Sequence, residues 1–195
     1  MTTLELEARL DNLLATAQAE TARIDLFAPI PEREECPICL LPLPIDKTET
    51  VFMTCCGKHI CSGCIHKSFK RDGEKGVQQN EIKCAFCRQL TPMNEVKANK
   101  KLMKKNNPRA FMQMAAHYKR GDGVFQSDTK ALEMITRAAE LGSAQAFTKI
   151  GYYYLEGFAV TQDSSKALEY YEIGAKKGSV YAQMACYFSW EKWEQ

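Results

Sequence analysis

Hydrophobic and polar positions in the C-terminal part of the chain repeat at an interval of 36 residues. Positions that correspond under this shift carry the same residue: Ala110, Ala146 and Ala182; Phe111 and Phe147; Tyr118 and Tyr154; Gly121 and Gly157; Gly142 and Gly178. Each copy contains two stretches of helical periodicity separated by a glycine-containing loop. A period of this length is typical of an α-solenoid. The sequence predicts helical hairpins over 108–142 and 143–178 and a partial one over 179–195.

The second helix of each copy is predicted to bury one face. These faces consist of Ala131, Leu132, Ile135 and Ala139 in one copy, and of Ala167, Leu168, Tyr171 and Ala175 in the next. Asp128 and Ser164 stand where an N-cap would precede these helices, because short polar side chains accept hydrogen bonds from the first free N–H groups.

The N-terminal segment, residues 1–35, begins with another predicted helix. Its apolar residues at helical spacing are Leu6, Leu10, Leu13, Leu14 and Ala17. Pro29 and Pro31 end the pattern. We expect this helix to pack against a neighbouring part of the protein, since one short apolar stripe seldom identifies a partner. The alternative is a dimerising or docking helix.

The middle of the chain has shorter elements. A β-prone run at 51–54 and a return at 59–60 predict a hairpin that turns at Gly57. Residues 62–71 then suit a short helix, and a polar loop at 72–76 ends it.

Eight of the nine cysteines lie in this middle part, at Cys36, Cys39, Cys55, Cys56, Cys61, Cys64, Cys84 and Cys87. Two thiolates of a Cys-x2-Cys turn can reach one tetrahedral Zn²⁺. Eight ligands make two closed sites with no open position for a catalytic water, so we expect two structural Zn²⁺ ions. The sequence does not decide which two residues of the 55–59 stretch are metal ligands. Either Cys55 and Cys56 both bind, although neighbours in a strand face opposite sides, or one of them binds together with His59.

The rest of the sequence indicates the cellular compartment, and with it the chemical state of these cysteines. The N-terminus has no basic region before an apolar core, and no apolar run reaches the roughly 20 residues that span a bilayer. Metal-bound thiolates are therefore expected rather than disulfides. We expect a cytoplasmic protein with no membrane partner, and the lysines of the linker also allow the nucleus.

Residues 89–107 form a basic linker, predicted to be helical after Pro92. Its lysines are Lys97, Lys100, Lys101, Lys104 and Lys105. At helical spacing they make a solvated face, and no interleaved aromatic residues could stack on bases. Nucleic acid is therefore not an expected partner.

Three stretches in the C-terminal part resemble Sel1-like repeats, which are related to tetratricopeptide repeats: residues 152–157, 166–171 and 174–178. The resemblance implies a surface that binds a protein substrate or adaptor, with no catalytic residues. In the third copy Trp193 stands where Gly121 and Gly157 stood. Solenoids usually need about three stacked units and a polar terminal cap. Either Trp190 and Trp193 form an atypical closing helix or the chain is a fragment of a longer array, and we favour the fragment.

The order of the cysteine pairs resembles a RING finger, whose ligand pairs interleave in a cross-brace. The resemblance implies a first zinc held by Cys36, Cys39, Cys61 and Cys64. It implies a second zinc held by Cys84, Cys87 and two ligands from the 55–59 stretch. All-cysteine RING variants favour Cys55 with Cys56, and His59 is the alternate for either. The predicted fold is thus a small zinc-stabilised ββα RING module at 36–88, followed by an all-α helical-hairpin solenoid at 108–195.

RING fingers act as ubiquitin ligases by holding a ubiquitin-conjugating enzyme and its ubiquitin in a reactive orientation. The resemblance implies that the conjugating enzyme contacts Ile38, Ile65, Phe69 and Arg88. One departure is Ala85, which stands where a proline usually follows the seventh ligand. The sequence therefore predicts a RING-type ubiquitin ligase whose repeats bind a substrate. The alternative is a non-catalytic zinc-binding scaffold, in which Arg88 is merely solvated.

Overall fold

A computed structural model of the protein describes residues 3–22, 34–44, 50–74, 83–89 and 95–193. Its elements are α1 (Thr3–Thr21), β1 (Thr50–Met53), β2 (Lys58–Cys61), α2 (Ser62–Glu74), α3 (Glu95–Met103), α4 (Pro108–Arg120), α5 (Asp128–Glu140), α6 (Ala144–Glu156), α7 (Ser164–Lys176) and α8 (Val180–Trp193). The chain forms two compact units, one of Met1–Ile30 with Phe111–Gln195 and one of Pro31–Ala110. None of the helices in the described ranges is long and apolar enough to cross a membrane.

The smaller unit contains the predicted hairpin and helix. Strands β1 and β2 pair antiparallel, with Val51 opposite Ile60. Gly57 closes the turn between them in a left-handed conformation (φ 71°), and its N–H donates to the carbonyl of Met53 at 2.7 Å. Helix α2 follows β2 without a break. It runs to Glu74 instead of ending near residue 71, because one glycine lowers helix stability without stopping a helix.

Helix α3 confirms that the basic linker is helical. Its inner side buries Ala98, Asn99 and Leu102, and its three lysines and the two of the following turn are exposed. The chain after α3 packs against the hairpin turn. A Cβ atom added to Gly57 would lie 2.6 Å from Nδ2 of Asn107 and 3.4 Å from Cδ2 of Leu102. The linker is therefore part of the packing that holds this turn.

The larger unit contains the repeated hairpins. Helices α4 and α5 form the first, in which the N–H of Ser127 before α5 donates to the carbonyl of Tyr118 in α4 at 2.9 Å. Helices α6 and α7 pack together as the second, and α8 repeats the first helix of a pair. The N-cap predictions at Asp128 and Ser164 are wrong by one residue. Ser127 and Asp163 have extended backbones, and their side chains accept from the N–H groups three residues on, at 3.3 and 3.0 Å. Asp128 instead begins α5 and forms an ion pair with Lys119 at 2.8 Å.

The buried face of α5 confirms the repeat analysis, since its four predicted residues are all buried. In α7 the pattern differs at one position, because Leu168 is half-buried and Tyr170 is fully buried. The hydroxyl of Tyr170 donates to the main-chain oxygen of Leu10 in α1, at 2.7 Å. Helix α1 covers that side of α7, and the repeat pattern alone contains no sign of it.

Helix α1 packs against α5 and α7 within the larger unit. Its buried stripe confirms the helix and the expected packing against a neighbour: Leu6, Leu10, Leu14 and Ala17 are buried, whereas Leu13 is half-buried at the edge. Burial of such side chains is worth about 1.5–3 kcal/mol each for the leucines, as an upper bound.

The two helices of the second hairpin, α6 and α7, lie very close together at Gly151. A Cβ atom added there would lie 2.8 Å from Cε1 of Tyr171 and 2.9 Å from the carbonyl oxygen of Ala167. No real Cβ atom tolerates such distances to a main-chain oxygen, so the crossing of α6 and α7 requires glycine.

We predict that Gly151→Ala lowers the free energy of unfolding by about 1–3 kcal/mol, as overpacking of a core does. Alanine is favoured over glycine in helices by about 1 kcal/mol. A lower free energy of unfolding can therefore be assigned to the clash of the new Cβ atom with α7. Denaturant unfolding followed by helical circular dichroism measures it. The control is Gly174→Ala, also within a helix, whose new Cβ would meet Ala182 and Thr148 at 3.0 and 3.1 Å. We expect a smaller loss there, and equal stability of Gly151→Ala and the wild type would contradict the crossing.

Candidate metal centres

The two outer Cys-x2-Cys segments fold into the same tight turn. In the first, the N–H of Leu40 donates to the carbonyl of Cys36 at 2.8 Å, and the N–H of Cys36 donates to Leu41 at 2.9 Å. The second segment repeats both bonds, at 3.1 and 2.8 Å. The residue after the second cysteine is left-handed in both, with φ 60° at Leu40 and 61° at Arg88. Each turn therefore presents two sulfur atoms on one side of a closed hydrogen-bonded loop.

Four sulfur atoms converge at one point next to the hairpin. They belong to Cys36, Cys39, Cys61 and Cys64, and all lie within 4.8 Å of one another. The Sγ atoms of Cys39 and Cys61 are 3.8 Å apart. Cys61 ends β2 and Cys64 lies in the first turn of α2, so the junction of strand and helix delivers this pair.

A second group brings together Cys55, Cys56, Cys84 and Cys87, again within 4.8 Å. The Sγ–Sγ distances are 3.9 Å for Cys56 with Cys84 and 3.5 Å for Cys55 with Cys87. Cys55 and Cys56 lie in the turn between the strands. The rule that neighbouring side chains face opposite sides applies to extended strands, so the turn removes the objection to this pair.

His59, the alternate ligand, lies elsewhere. It is paired with Phe52 across the hairpin, and their rings are 5.3 Å apart at a tilted angle. It belongs to neither sulfur group among the described residues. The geometry therefore favours Cys55 with Cys56, and the ligand assignment itself stays a prediction.

The two groups fit zinc. A tetrahedral ion with Zn–S bonds of 2.3 Å separates its sulfur atoms by about 3.8 Å. Three sulfur–sulfur separations within the clusters are 3.5, 3.8 and 3.9 Å. Four thiolates in a closed set are the donors of structural zinc sites. Each cluster could hold one Zn²⁺ ion.

Main-chain N–H groups favour the thiolate form at the first cysteine of each outer turn. Burial alone would raise the pKa of Cys36, but N–H groups of Cys39, Cys61 and Ile38 lower it to about 6. Cys84 likewise has a lowered pKa in spite of burial. The pKa of Cys56 is raised to about 11 by burial and by the neighbouring sulfur of Cys84. Four crowded sulfurs cannot all ionise alone, and a divalent cation removes that cost.

The clusters interleave along the chain, because one uses the first and third cysteine pairs and the other uses the second and fourth. The first cluster spans Cys36 to Cys64 and the second spans Cys55 to Cys87, so the two spans overlap and closing one cluster constrains the other. The apolar residues buried with these cysteines are only Leu43, Met53, Ile60 and Ile65 among those described. Such a core is small for its length, so we expect metal binding to supply much of the folding free energy.

Two of the four expected partner contacts are on the surface. Ile38 is 41% exposed and Arg88 is exposed. Ile65 is only 8% exposed, because α2 turns this residue onto the cysteine cluster. Ile65 therefore offers little surface to a partner, and its contact with a conjugating enzyme stays a prediction. The side chain of Phe69 lies outside the described residues.

The sequence reasoning missed three exposed apolar residues in the turns. Leu40, Leu41 and Phe86 are 68, 65 and 42% exposed. The sequence did contain an indication for Phe86, because Phe86 and Ile38 occupy the same position, directly before the second cysteine, in the two Cys-x2-Cys turns. Both turns therefore present an apolar side chain beside a cluster.

Comparison with known proteins identifies the larger unit. Residues 108–143 and 145–179 each match the Sel1 repeat family, so the hairpins α4–α5 and α6–α7 are Sel1 repeats, a type that generally mediates protein–protein interaction. Over 59 residues the chain is 34% identical to TNF receptor-associated factor 6 of Danio rerio. This matched stretch is 30% of this chain and 10% of that protein.

Two solved structures are also similar, each at 25% identity. A Sel1 repeat protein from Oxalobacter formigenes has a TM-score of 0.48 and is matched over 64% of this chain and 61% of its own. The c5321 protective antigen of uropathogenic Escherichia coli strains, which displays an SLR fold, has a TM-score of 0.43, with 62% and 24% covered. The chain thus spans a tenth of the curated relative and less than two thirds of either solved protein.

We predict that the protein binds two zinc ions and that Cys55→Ser and Cys56→Ser each reduce this number to one under competition by a weak chelator. His59→Ala should retain both ions, because the ring lies against Phe52. Native mass spectrometry of the three variants provides the measurement. Loss of an ion from His59→Ala, with two ions kept by Cys55→Ser or Cys56→Ser, would refute the all-cysteine assignment.

Proposed function

We propose that the protein is a RING-type ubiquitin ligase. In this account the cysteine module, closed by two zinc ions, recruits a ubiquitin-conjugating enzyme that carries ubiquitin. The Sel1 repeats hold a protein substrate or adaptor. The observation that carries the proposal is the interleaving of the two sulfur clusters, combined with an exposed apolar residue in each outer turn.

Transfer of this kind needs no nucleophile on the ligase. Fixing the orientation of the charged conjugating enzyme is itself a large source of rate acceleration. Cys186, the one cysteine outside the clusters, is half-buried, and burial raises its pKa. A thiol of that kind is poorly suited to forming a thioester, which supports direct transfer from the conjugating enzyme.

Ile38 and Arg88 have complementary roles in the proposal. Ile38 offers an apolar contact beside the first cluster. Arg88 follows the last cysteine, and its planar guanidinium group can donate hydrogen bonds to two proteins at once. Its backbone is left-handed (φ 61°), a conformation that costs a non-glycine residue about 1 kcal/mol.

Exposed apolar residues on the repeats are suited to contact a protein substrate. Tyr152 and Leu155 lie three residues apart on α6, and Tyr181 and Met184 lie three apart on α8. The four are between 38 and 50% exposed. Aromatic residues and methionine are enriched in protein interfaces, so these four residues are proposed contacts for a protein substrate.

A non-catalytic zinc scaffold is the second candidate, and Ala85 favours it. This residue, packed beside the sulfur clusters, replaces the proline expected after the seventh ligand. The two candidates differ in whether ubiquitin chains form in a reaction with an activating enzyme, a panel of conjugating enzymes and zinc-loaded protein. Absence of chains with every conjugating enzyme would leave only the scaffold.

We predict that Ile38→Ala slows ubiquitin transfer about tenfold, the equivalent of 1.4 kcal/mol of contact energy. The variant should keep two zinc ions, because Ile38 is exposed and outside the buried core. Discharge of a charged conjugating enzyme onto free lysine gives the rate. Val51→Ala is a matched control, since Val51 is equally exposed on β1, and we expect it to leave the rate unchanged. Unaltered discharge by Ile38→Ala would count against the contact.

We predict opposite effects of Arg88→Gly on folding and on activity. Glycine relieves the left-handed backbone, so zinc should be held at least as strongly as in the wild type. Ubiquitin discharge should fall about tenfold or more, because the bridging donors are gone. Lys83→Ala removes a charge from an exposed residue in the same segment and serves as control. Equal discharge by Arg88→Gly and wild type would favour the scaffold.

A further inference from the structure

Helix α1 fills a groove that the repeats themselves create. It lies across α5 and α7, the second helices of the two repeats, although the whole cysteine module separates it from them in sequence. Leu6 and Leu10 are completely buried there, and Leu14 and Ala17 nearly so. Their spacing of four, four and three residues places them on one stripe of one helix. The groove therefore accepts a single amphipathic helix.

Polar pairs along both rims fix the register of that helix. Arg9 pairs with Glu140 of α5 at 2.5 Å. Lys166 of α7 pairs with Asp11 at 2.6 Å, and Lys177, directly after α7, pairs with Glu20 at 3.1 Å. These side chains are partly exposed, so each pair adds little affinity. Together they specify where acidic and basic residues must stand on any helix that binds here.

Two stacked tyrosines lie at the floor of the groove, and only one of them forms a hydrogen bond with α1. The rings of Tyr154 and Tyr170 are 5.5 Å apart and nearly parallel. Tyr170 donates to the carbonyl of Leu10, a bond that the backbone of any helix could accept. The hydroxyl of Tyr154 is buried without a hydrogen-bond partner among the described residues. The ammonium group of Lys166 lies 5.6 Å from the centre of the Tyr154 ring and 2.6 Å from the carboxylate of Asp11, so this ring lies close to α1.

An unpaired buried hydroxyl lowers the stability of the complex that buries it. Helix α1 therefore matches the groove in its apolar stripe and rim charges but leaves one polar group unsatisfied. A helix with the same pattern and an acceptor that reaches Tyr154 would fit better than α1 does.

We propose that the groove between α5 and α7 is a binding site for an amphipathic helix of a partner protein, which displaces α1. The partner helix carries leucines at i, i+4 and i+8, a small residue at i+11, and an acidic residue directly after the second leucine, opposite Lys166. It also carries an acceptor for Tyr154. This proposal deepens the proposed function at its partner end and rests on it only for the partner's role. Peptide binding involves no ubiquitin transfer, so the two ideas fail separately.

The experiment uses full-length, zinc-loaded protein and a fluorescent peptide with the sequence of residues 3–22, measured by fluorescence anisotropy. The wild type should bind weakly, because its own α1 occupies the groove. Leu10→Asp in the protein expels that helix, and we expect binding of the peptide to strengthen at least about tenfold. A scrambled peptide of the same composition should not bind.

A charge exchange tests the register without disturbing the core. In Lys166→Asp protein the resident Asp11 faces a like charge, so the groove should open more often. This protein should prefer an Asp11→Lys peptide over the unaltered peptide. The Leu10→Asp protein, in which Lys166 is unchanged, should show the reverse preference.

The tyrosine pair provides an internal control. In the Leu10→Asp protein, Tyr170→Phe should weaken binding of the unaltered peptide severalfold, because a bond to its backbone is lost. Tyr154→Phe should strengthen binding, because the unpaired hydroxyl is removed. A general loss of packing would move both variants in the same direction and would contradict the assignment of the two hydroxyls.

Two outcomes would overturn the proposal. If neither Leu10→Asp nor Lys166→Asp protein binds its matching peptide above the scrambled control, the groove takes no helix other than the covalently attached α1. If the wild type is a dimer in solution and Leu10→Asp makes it monomeric, the occupant is α1 of a second copy and not a partner protein.

Discussion

The smaller unit depends on gathering eight sulfur atoms at two points. Its described apolar core consists of four side chains besides the cysteines, which is little for a segment of this length. The cysteine turns, the hairpin and the first turn of α2 each deliver a pair of ligands, and each cluster takes one pair from either half of the segment. Because the pairs interleave, closing one site constrains the other. Zinc coordination and folding are expected to be one event.

The larger unit is stabilised by different physics. Its helices bury alanine, leucine and aromatic residues against one another, and glycine allows the close crossing of α6 and α7. A helix from the far N-terminus completes this packing. The two units therefore divide the proposed work, since metal coordination shapes the surface for the conjugating enzyme and helix packing shapes the surfaces for a partner.

Much of this was readable from the chain because the signals were local or periodic. The interval of 36 residues predicted the hairpins and the buried face of α5, and the resemblance of the cysteine order to a RING finger predicted which residues could share a metal. The errors have identifiable causes. The N-caps were placed one residue late because Asp128 and Ser164 are themselves good capping residues. Tyr170 was missed because its burial depends on α1. Whether Ile65 faces solvent or the clusters depends on how α2 is rotated on the hairpin, and helical periodicity does not specify that rotation.

The interleaving of the sulfur clusters is tested most directly by cadmium NMR of protein in which ¹¹³Cd replaces zinc. The account predicts two resonances from all-sulfur sites. Cys39→Ser and Cys61→Ser should both alter one resonance, and Cys56→Ser and Cys87→Ser should both alter the other. A single resonance, or Cys39→Ser and Cys56→Ser altering the same one, would contradict the pairing on which this account rests.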